Sequence, residues 1–337
     1  MRELPWEIAA RRAGQLAPAG PSGTRAALRG VVSSLRRAAA TAPELVAGIT
    51  GLHQAARTAA SYPVYVVDRA RWSEANAELF ATVAGHALSL DNRLQARLAA
   101  EETGALLSVL STRVLGQFDP YISTGRLLLV APNVVQVERQ LDLDVMDFRL
   151  WVCLHEQTHA VQFAAAPWLS EYLLERIQTV TAGLGDVDSG PSRVKSAVST
   201  ITDLVRGKDG AVGLLAALLT EEEQEEMDRL IAIMSLLEGH ADVVMDEVGP
   251  ARIPSVRRIR ASFEKRRDGV GLLDTLVRRL TGMTDKIAQY RDGAAFVRGV
   301  VGIAGHEGLN AVWASPENLP RPAEIALPER WVKRVHG

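Results

Sequence analysis

The chain has 337 residues, of which 47% are hydrophobic and 23% charged, so its composition is that of a globular protein rather than a disordered or repetitive one. Its 38 basic and 40 acidic residues give a formal net charge of -2, which argues against a nucleic-acid-binding protein. The single cysteine excludes an intrachain disulfide framework and a cysteine-based zinc ribbon.

The first residues, MRELPWEIAARRAG, carry charges and a proline where a signal peptide has a continuous apolar run. No apolar stretch of about 18 residues follows, so we predict no transmembrane segment. These two observations lead us to expect a cytoplasmic protein.

Most of the chain is predicted to be helical, because Ala, Leu, Arg and Glu dominate and apolar residues recur at helical spacing. Tyr62 to Asp68 is β-branched and aromatic, which is typical of a short strand. Arg126 to Val137 is a second apolar run. Since Pro132 cannot donate to a sheet, we expect an interrupted edge strand there.

Two later segments are predicted to be helices that matter for function. Asp142 to Ala166 is apolar nearly all round, which indicates a buried helix. Thr220 and Glu223 form a capping-box pattern that begins a helix ending near Glu247. Between them, Gly183 to Ser192 is typical of a surface connection.

The predicted organisation has three regions that form one integrated domain. Residues 1–115 are an N-terminal helical region with one short strand, 116–250 carry the functional motifs, and 251–337 are a C-terminal helical region with a proline-punctuated, wrapping tail. The first 60 residues contain eight arginines and three glutamates, which favours a solvated helical face, with a surface for an anionic partner as the alternative.

The motif His155-Glu156-Gln157-Thr158-His159 is HExxH. On a helix it puts two imidazoles one turn apart on one face, where both can bind one Zn²⁺ at about 2.0–2.1 Å. Glu156 then lies beside the metal, free to take a proton from bound water. Phe148 and Phe163 share the arc of the two histidines. The alternative is a pair of core histidines with ordinary hydrogen bonds.

The third ligand must come from another part of the chain, because Gln162 and Ala165 stand where an extended motif would have Gly and His. Glu238 lies at the centre of the apolar stripe of the 220–247 helix, where an ionised carboxylate is costly unless it is paired or binds a metal. Asp242, one turn on, is predicted to accept a hydrogen bond from the far ring nitrogen of either histidine. Alternatively, either acid pairs with a buried arginine.

His240 lies on the opposite side of that helix from Glu238, so a regular helix cannot aim both at one metal. It can approach a substrate only if the helix is distorted at Gly239. His240, Asn133 and Tyr290 are the candidates for stabilising an oxyanion.

The segments LGQFDPY, DFRLWVCLHEQTHAVQF and LLEGHADVVMD resemble an actinobacterial zincin-like family of zinc-dependent metallopeptidases or hydrolases, one subgroup of which is associated with coenzyme F420 biosynthesis. The resemblance covers most of the chain. It implies a predominantly helical α+β, zincin-like fold with a small sheet over the active-site helix. It also implies that His155 and His159 are the first two zinc ligands, Glu156 the general base and Glu238 the third ligand.

The resulting hypothesis is a zinc-dependent hydrolase, in the first place a metallopeptidase. Zn²⁺ would lower the pKa of bound water toward about 7, and Glu156 would take the proton and deliver it to the leaving amine. The substrate would be a peptide or a small amide, with Arg126 to Val137 antiparallel to an extended peptide.

Two alternatives remain open at this point. One is a non-enzymatic helical scaffold or partner-binding protein with a structural or lost metal site. The other is a zinc hydrolase for a small-molecule amide or ester. The sequence predicts neither the substrate nor the oligomeric state.

Overall fold

The structure, a computed structural model, describes residues 2–84, 89–90, 92–184, 220–267 and 293–337. The described residues are predominantly helical with a small sheet, which confirms the predicted α+β class. The helices are α1 Trp6–Leu16, α2 Arg25–Thr50, α3 His53–Ala59, α4 Arg69–Ala84, α5 Arg93–Leu110, α6 Ala131–Gln140, α7 Val145–Ala165, α8 Leu169–Leu184, α9 Glu221–Glu247, α10 Val256–Arg267, α11 Gly293–Leu309, α12 Pro322–Ile325 and α13 Pro328–His336. The strands are β1 Arg2–Glu3, β2 Val64–Val67, β3 Ser89–Leu90, β4 Gly116–Asp119 and β5 Arg126–Val130.

The main sheet has three strands in the order β2-β5-β4, and β1 pairs separately with β3. β5 runs parallel to β2 and antiparallel to β4. The strand predicted at Tyr62 to Asp68 is confirmed as β2. The sheet packs against α7 through β4 and β5.

The prediction of an interrupted edge strand over Arg126 to Val137 was wrong. The strand ends at Val130 and lies in the middle of the sheet, and α6 begins at Ala131. Pro132 is in the first turn of α6, where a missing N–H costs nothing because the first turn of a helix has no partner for it. The four buried residues of β5, Leu127 to Val130, form the continuous apolar run expected of a central strand.

α7 is the helix around which the other elements pack. Asp144 caps its first turn by accepting from the N–H groups of Met146 and Asp147. It contacts α2, α3 and α9 as well as the sheet, which explains why it is apolar nearly all round. The helix predicted over Asp142 to Ala166 is therefore confirmed. Small side chains on α2 line this contact and let the helices lie close, namely Ala38, Ala39, Ala42 and Ala47.

A buried ion pair joins α6, α7 and α2. Arg149 donates to both carboxylate oxygens of Glu138, at 3.0 and 2.7 Å, and to the hydroxyl of Ser34 at 2.6 Å. The two charged groups are nearly inaccessible to solvent, so each depends on the other for the interactions that water would provide.

α9 begins where the sequence predicts. The Thr220 hydroxyl accepts from the Glu223 N–H, and the Glu223 carboxylate accepts from the Thr220 N–H, which completes the capping box. At Gly239 the backbone of α9 lies directly against α11. A Cβ at Gly239 would meet the backbone of Gly293, and a Cβ at Gly293 would meet the carbonyl of Ser235.

The last helix of the chain, α13, packs against α11. Trp331 is fully buried and donates from its indole N–H to the carbonyl of Asn318 at 2.7 Å. Arg334 makes a bidentate pair with Glu324.

Two buried clusters of apolar residues draw on all three predicted regions. One joins α2, α3, α7 and α10, and the other joins α8, α9, α11 and the C-terminal helices. This sharing favours one integrated domain, while the boundaries at 115 and 250 stay a prediction. Among the described helices, none is long and apolar enough to cross a membrane.

The close crossing of α9 and α11 makes a prediction about stability. We expect Gly239→Ala to lower the free energy of unfolding by about 1–3 kcal/mol, because the new methyl group meets backbone that cannot move aside alone. The measurement is urea denaturation followed by circular dichroism.

The matched control is Gly302→Ala on α11, where an added Cβ meets nothing within 4 Å. This change should raise stability by about 0.5–1 kcal/mol, because alanine loses less conformational entropy than glycine in a helix. Similar effects of the two substitutions would contradict the crossing.

Candidate metal centre

Three ligand-type side chains from α7 and α9 converge at one point. His155 and His159 come from α7 and Glu238 from α9, and one ligand atom of each lies within 4.8 Å of the others. The two Nε2 atoms are 3.2 Å apart. The Glu238 oxygens lie 3.7 Å from His155 Nε2 and 3.5 Å from His159 Nε2.

Two imidazoles and one carboxylate are a donor set that suits zinc. Ligands at about 2.0–2.1 Å from zinc in tetrahedral geometry lie about 3.3 Å from one another. The two Nε2 atoms, 3.2 Å apart, are close to that value. Each Nε2 atom also lies near one of the two Glu238 oxygens, at 3.7 Å for His155 and 3.5 Å for His159. Three protein ligands leave the fourth tetrahedral position open, which is the arrangement of a catalytic rather than a structural zinc site.

The cluster remains open to solvent. The exposed fractions of the side chains are 24% for His155, 13% for His159 and 33% for Glu238. Glu238 is therefore half-buried at the rim of the core, and not at its centre as its apolar neighbours in the sequence suggest.

The charge state of His155 suits metal binding. The pKa of His155 is lowered to about 4, mainly because the ring is removed from water and to a smaller extent because His159 lies beside it. The charge of Glu238 acts in the opposite direction. The imidazole is therefore neutral near pH 7. A metal-binding histidine must be neutral, because the lone pair of Nε2 has to be available.

The outer ring nitrogens have different partners from those predicted. Nδ1 of His155 lies 3.2 Å from Sδ of Met245. Nδ1 of His159 lies 2.9 Å from Oε1 of Gln162. The predicted partner, Asp242, instead accepts from Arg260 at 3.2 Å. For Asp242, the alternative of an acid paired with an arginine is therefore the correct one.

Glu156 lies beside the cluster and is 6% exposed. Burial, followed by the nearby Glu238, raises the pKa of Glu156 well above its ordinary value, while a hydrogen bond from the backbone N–H of Phe118 lowers it. Gly116 on β4 lets the strand pass close by, since a Cβ there would lie 2.6 Å from Cγ and 2.9 Å from Oε1 of Glu156. The backbone of β4 thus holds the carboxyl group in position.

The candidates for an oxyanion stabiliser are not supported. Asn133 is 2% exposed, and its amide binds Arg69 and the carbonyls of Ser111 and Val114. His240 is fully buried, because α9 continues without distortion through Gly239. Neither side chain can reach a substrate from these positions. Tyr290 lies outside the described residues.

Sequence reasoning missed three residues that contact the site, although two of them follow helical spacing. Gln162 is three residues after His159, and Met245 is seven residues after Glu238, so each lies on the same face of its helix as the ligand. No signal in the sequence indicated Gly116, because its role depends on where β4 crosses α7.

Comparison with known proteins identifies the family of the chain. Residues 4–332 match the zincin-like metallopeptidase family. Among solved structures, a protein from Chloroflexus aurantiacus, described as a putative hydrolase with a novel fold, is 31% identical, with a TM-score of 0.69 and 98% of each chain covered. No curated protein sequence matches the chain significantly. Since the family match spans nearly the whole sequence, the chain belongs to the zincin-like metallopeptidase family.

Proposed function

We propose that the protein is a zinc-dependent hydrolase, and more narrowly a metallopeptidase, with His155, His159 and Glu238 as ligands and Glu156 as general base. The observation that carries this proposal is the convergence of His155, His159 and Glu238, with one ligand atom of each within 4.8 Å of the others. Three protein ligands would leave one tetrahedral position for water, as in catalytic zinc sites. Family membership supports the hydrolase in general. The narrower actinobacterial, coenzyme F420-associated grouping and a cytoplasmic location stay predictions.

When bound, zinc would supply the Lewis acidity that activates water and polarises an amide carbonyl. The chain's own residues supply the rest of the chemistry. Glu156 follows His155 on α7, so its carboxyl group lies beside the open position and can take a proton and return it to the leaving nitrogen. Gly116 and Phe118 hold that carboxyl group and limit its movement.

An extended peptide has a strand to bind, although not the one predicted. β5 is paired on both sides, whereas β4 pairs with β5 alone among the strands that the structure describes. Val130 donates to the carbonyl of Leu115, so by antiparallel alternation the backbone groups of Gly116 and Phe118 point away from β5, toward α7. We propose that a peptide substrate lies along this edge of β4 and pairs with its outward-facing backbone groups other than the Phe118 N–H, which Glu156 already uses.

The alternative is a helical scaffold with a structural or lost metal site. The open fourth position and the solvent-exposed ligands favour an enzyme, because structural zinc sites use four protein ligands. A small amide or ester in place of a peptide would use the same ligands and the same base.

Metal content tests the ligand set. We expect about one zinc per chain in the purified protein and its loss in Glu238→Ala, because removing the carboxylate leaves two imidazoles. The measurement is elemental analysis after dialysis. The matched control on the same helix is Glu247→Ala, which removes an exposed carboxylate paired with His306. Full zinc in Glu238→Ala would refute the third ligand.

Activity tests the base. We expect Glu156→Gln to keep its zinc but to cleave a peptide library about 10²–10⁴ times more slowly than the wild type, because the amide cannot accept the proton. Equal cleavage would exclude Glu156 as the base. A wild-type protein that binds zinc but cleaves neither peptides nor small amides would favour the scaffold.

Gly116→Ala tests the placement of Glu156 without changing a polar group. The added methyl group overlaps the Glu156 side chain, so we expect zinc binding to be kept while kcat falls by at least about tenfold. The control is Gly48→Ala on α2, where nothing lies within 4 Å of the added Cβ. Unchanged kcat in Gly116→Ala would show that the contact with β4 does not matter.

A further inference from the structure

The side chain of Gln162 links the two helices that carry the ligands. It is fully buried, and both ends of its amide are used. Oε1 lies 2.9 Å from Nδ1 of His159. Nε2 lies 2.9 Å from the carbonyl oxygen of Leu237 and 3.0 Å from Nδ1 of His240.

These contacts allow only one orientation of the amide. A backbone carbonyl can only accept, so the group facing Leu237 must be the NH₂ of Gln162. The oxygen therefore faces His159, and His159 must donate to it from Nδ1. With the proton on Nδ1, the lone pair is on Nε2, which is the atom directed at His155 and Glu238.

The second N–H of the Gln162 amide binds a side chain of α9. It points to Nδ1 of His240, which accepts, so the proton of this histidine is on Nε2. His240 is fully buried, and its ring packs 5.5 Å from that of Trp313. Leu237 and His240 flank Glu238 in the sequence, so the amide holds α9 on both sides of the third ligand.

We propose that Gln162 is the positioning residue of the metal centre: it holds His159 with Nε2 free for the metal and fixes the stretch of α9 that presents Glu238. The inference rests on the proposed metal site and deepens it. It also gives a role to His240, which acts as an anchor for the amide and not as a substrate contact. Partners of this kind typically change metal affinity by about 10–100-fold when they are removed.

Two substitutions separate orientation from simple packing. Gln162→Met keeps the shape of the side chain but removes every hydrogen bond. Gln162→Glu keeps an oxygen for His159 but cannot make both donations to Leu237 and His240. The matched control is Gln157→Met, a buried glutamine of the same helix that donates to the carbonyl of Ala39 on α2.

The experiment measures zinc affinity by competition with a chelator, alongside thermal denaturation of the metal-free proteins. We expect Gln162→Met to bind zinc about 10–100 times more weakly and Gln157→Met to bind like the wild type. Gln162→Glu should recover the part of the loss that comes from orienting His159, but not the part that comes from holding α9. Wild-type affinity in Gln162→Met, or equal losses in Gln162→Met and Gln162→Glu, would overturn the inference.

A measurement on the wild type keeps the inference testable if a variant does not fold. In ¹⁵N-correlated spectra of the imidazole rings, we expect the zinc-loaded protein to carry the His159 proton on Nδ1, and a proton on Nε2 would overturn the proposal. A wild type that binds no zinc would refute the metal centre itself. Zinc binding that does not depend on Gln162 would refute only the positioning role.

Discussion

The candidate metal centre depends on how α9 packs against α7. Two imidazoles on one helix offer a metal only two ligands, and the carboxylate of Glu238 on the other helix would provide the third. The separations of 3.5 and 3.7 Å between its oxygens and the histidine nitrogens leave room for an ion but not for a side chain. The buried amide of Gln162 joins α7 to α9, and the glycine contact at Gly239 joins α9 to α11.

The small sheet matters because one of its edges passes over α7. Burial of the Glu156 carboxyl group costs free energy, and part of that cost is offset by the N–H of Phe118. A side chain at position 116 would push the carboxyl group away, so the close passage of β4 requires glycine there. The sheet therefore contributes a backbone donor and a shape, while the helices contribute the metal ligands.

Much of this arrangement could be predicted from local sequence patterns. The two histidines of HExxH lie on one face of a helix, because residues four apart share a face. The capping box at Thr220 predicts where α9 begins. Glu238 was predicted to lie near the histidines because an acid on an apolar face needs a partner, and the structure places it there. These predictions depended on spacing within one helix, which a sequence contains directly.

The failures concern contacts between elements that are distant in sequence. Asp242 has the right spacing for a partner of a histidine, but Arg260 of α10 lies nearer to it. Pro132 indicated a strand edge, whereas it begins a helix, because the same residue suits both positions. Gln162 was noted only as a departure from a longer motif. Its use became visible once Leu237 and His240 were known to face it.

The glycine crossing of α9 and α11 has a consequence for how such a centre can change over time. The backbones of α9 and α11 already touch at Gly239 and Gly293. The contact therefore restricts movement of α9, which carries Glu238, toward α11 to accommodate a larger ion. Altered metal preference would then arise through the groups around the histidines rather than through a repositioned acid. The contact between α9 and α11 constrains the position of Glu238, whereas substitutions can change the hydrogen-bonding partners of His155 and His159 without moving a helix.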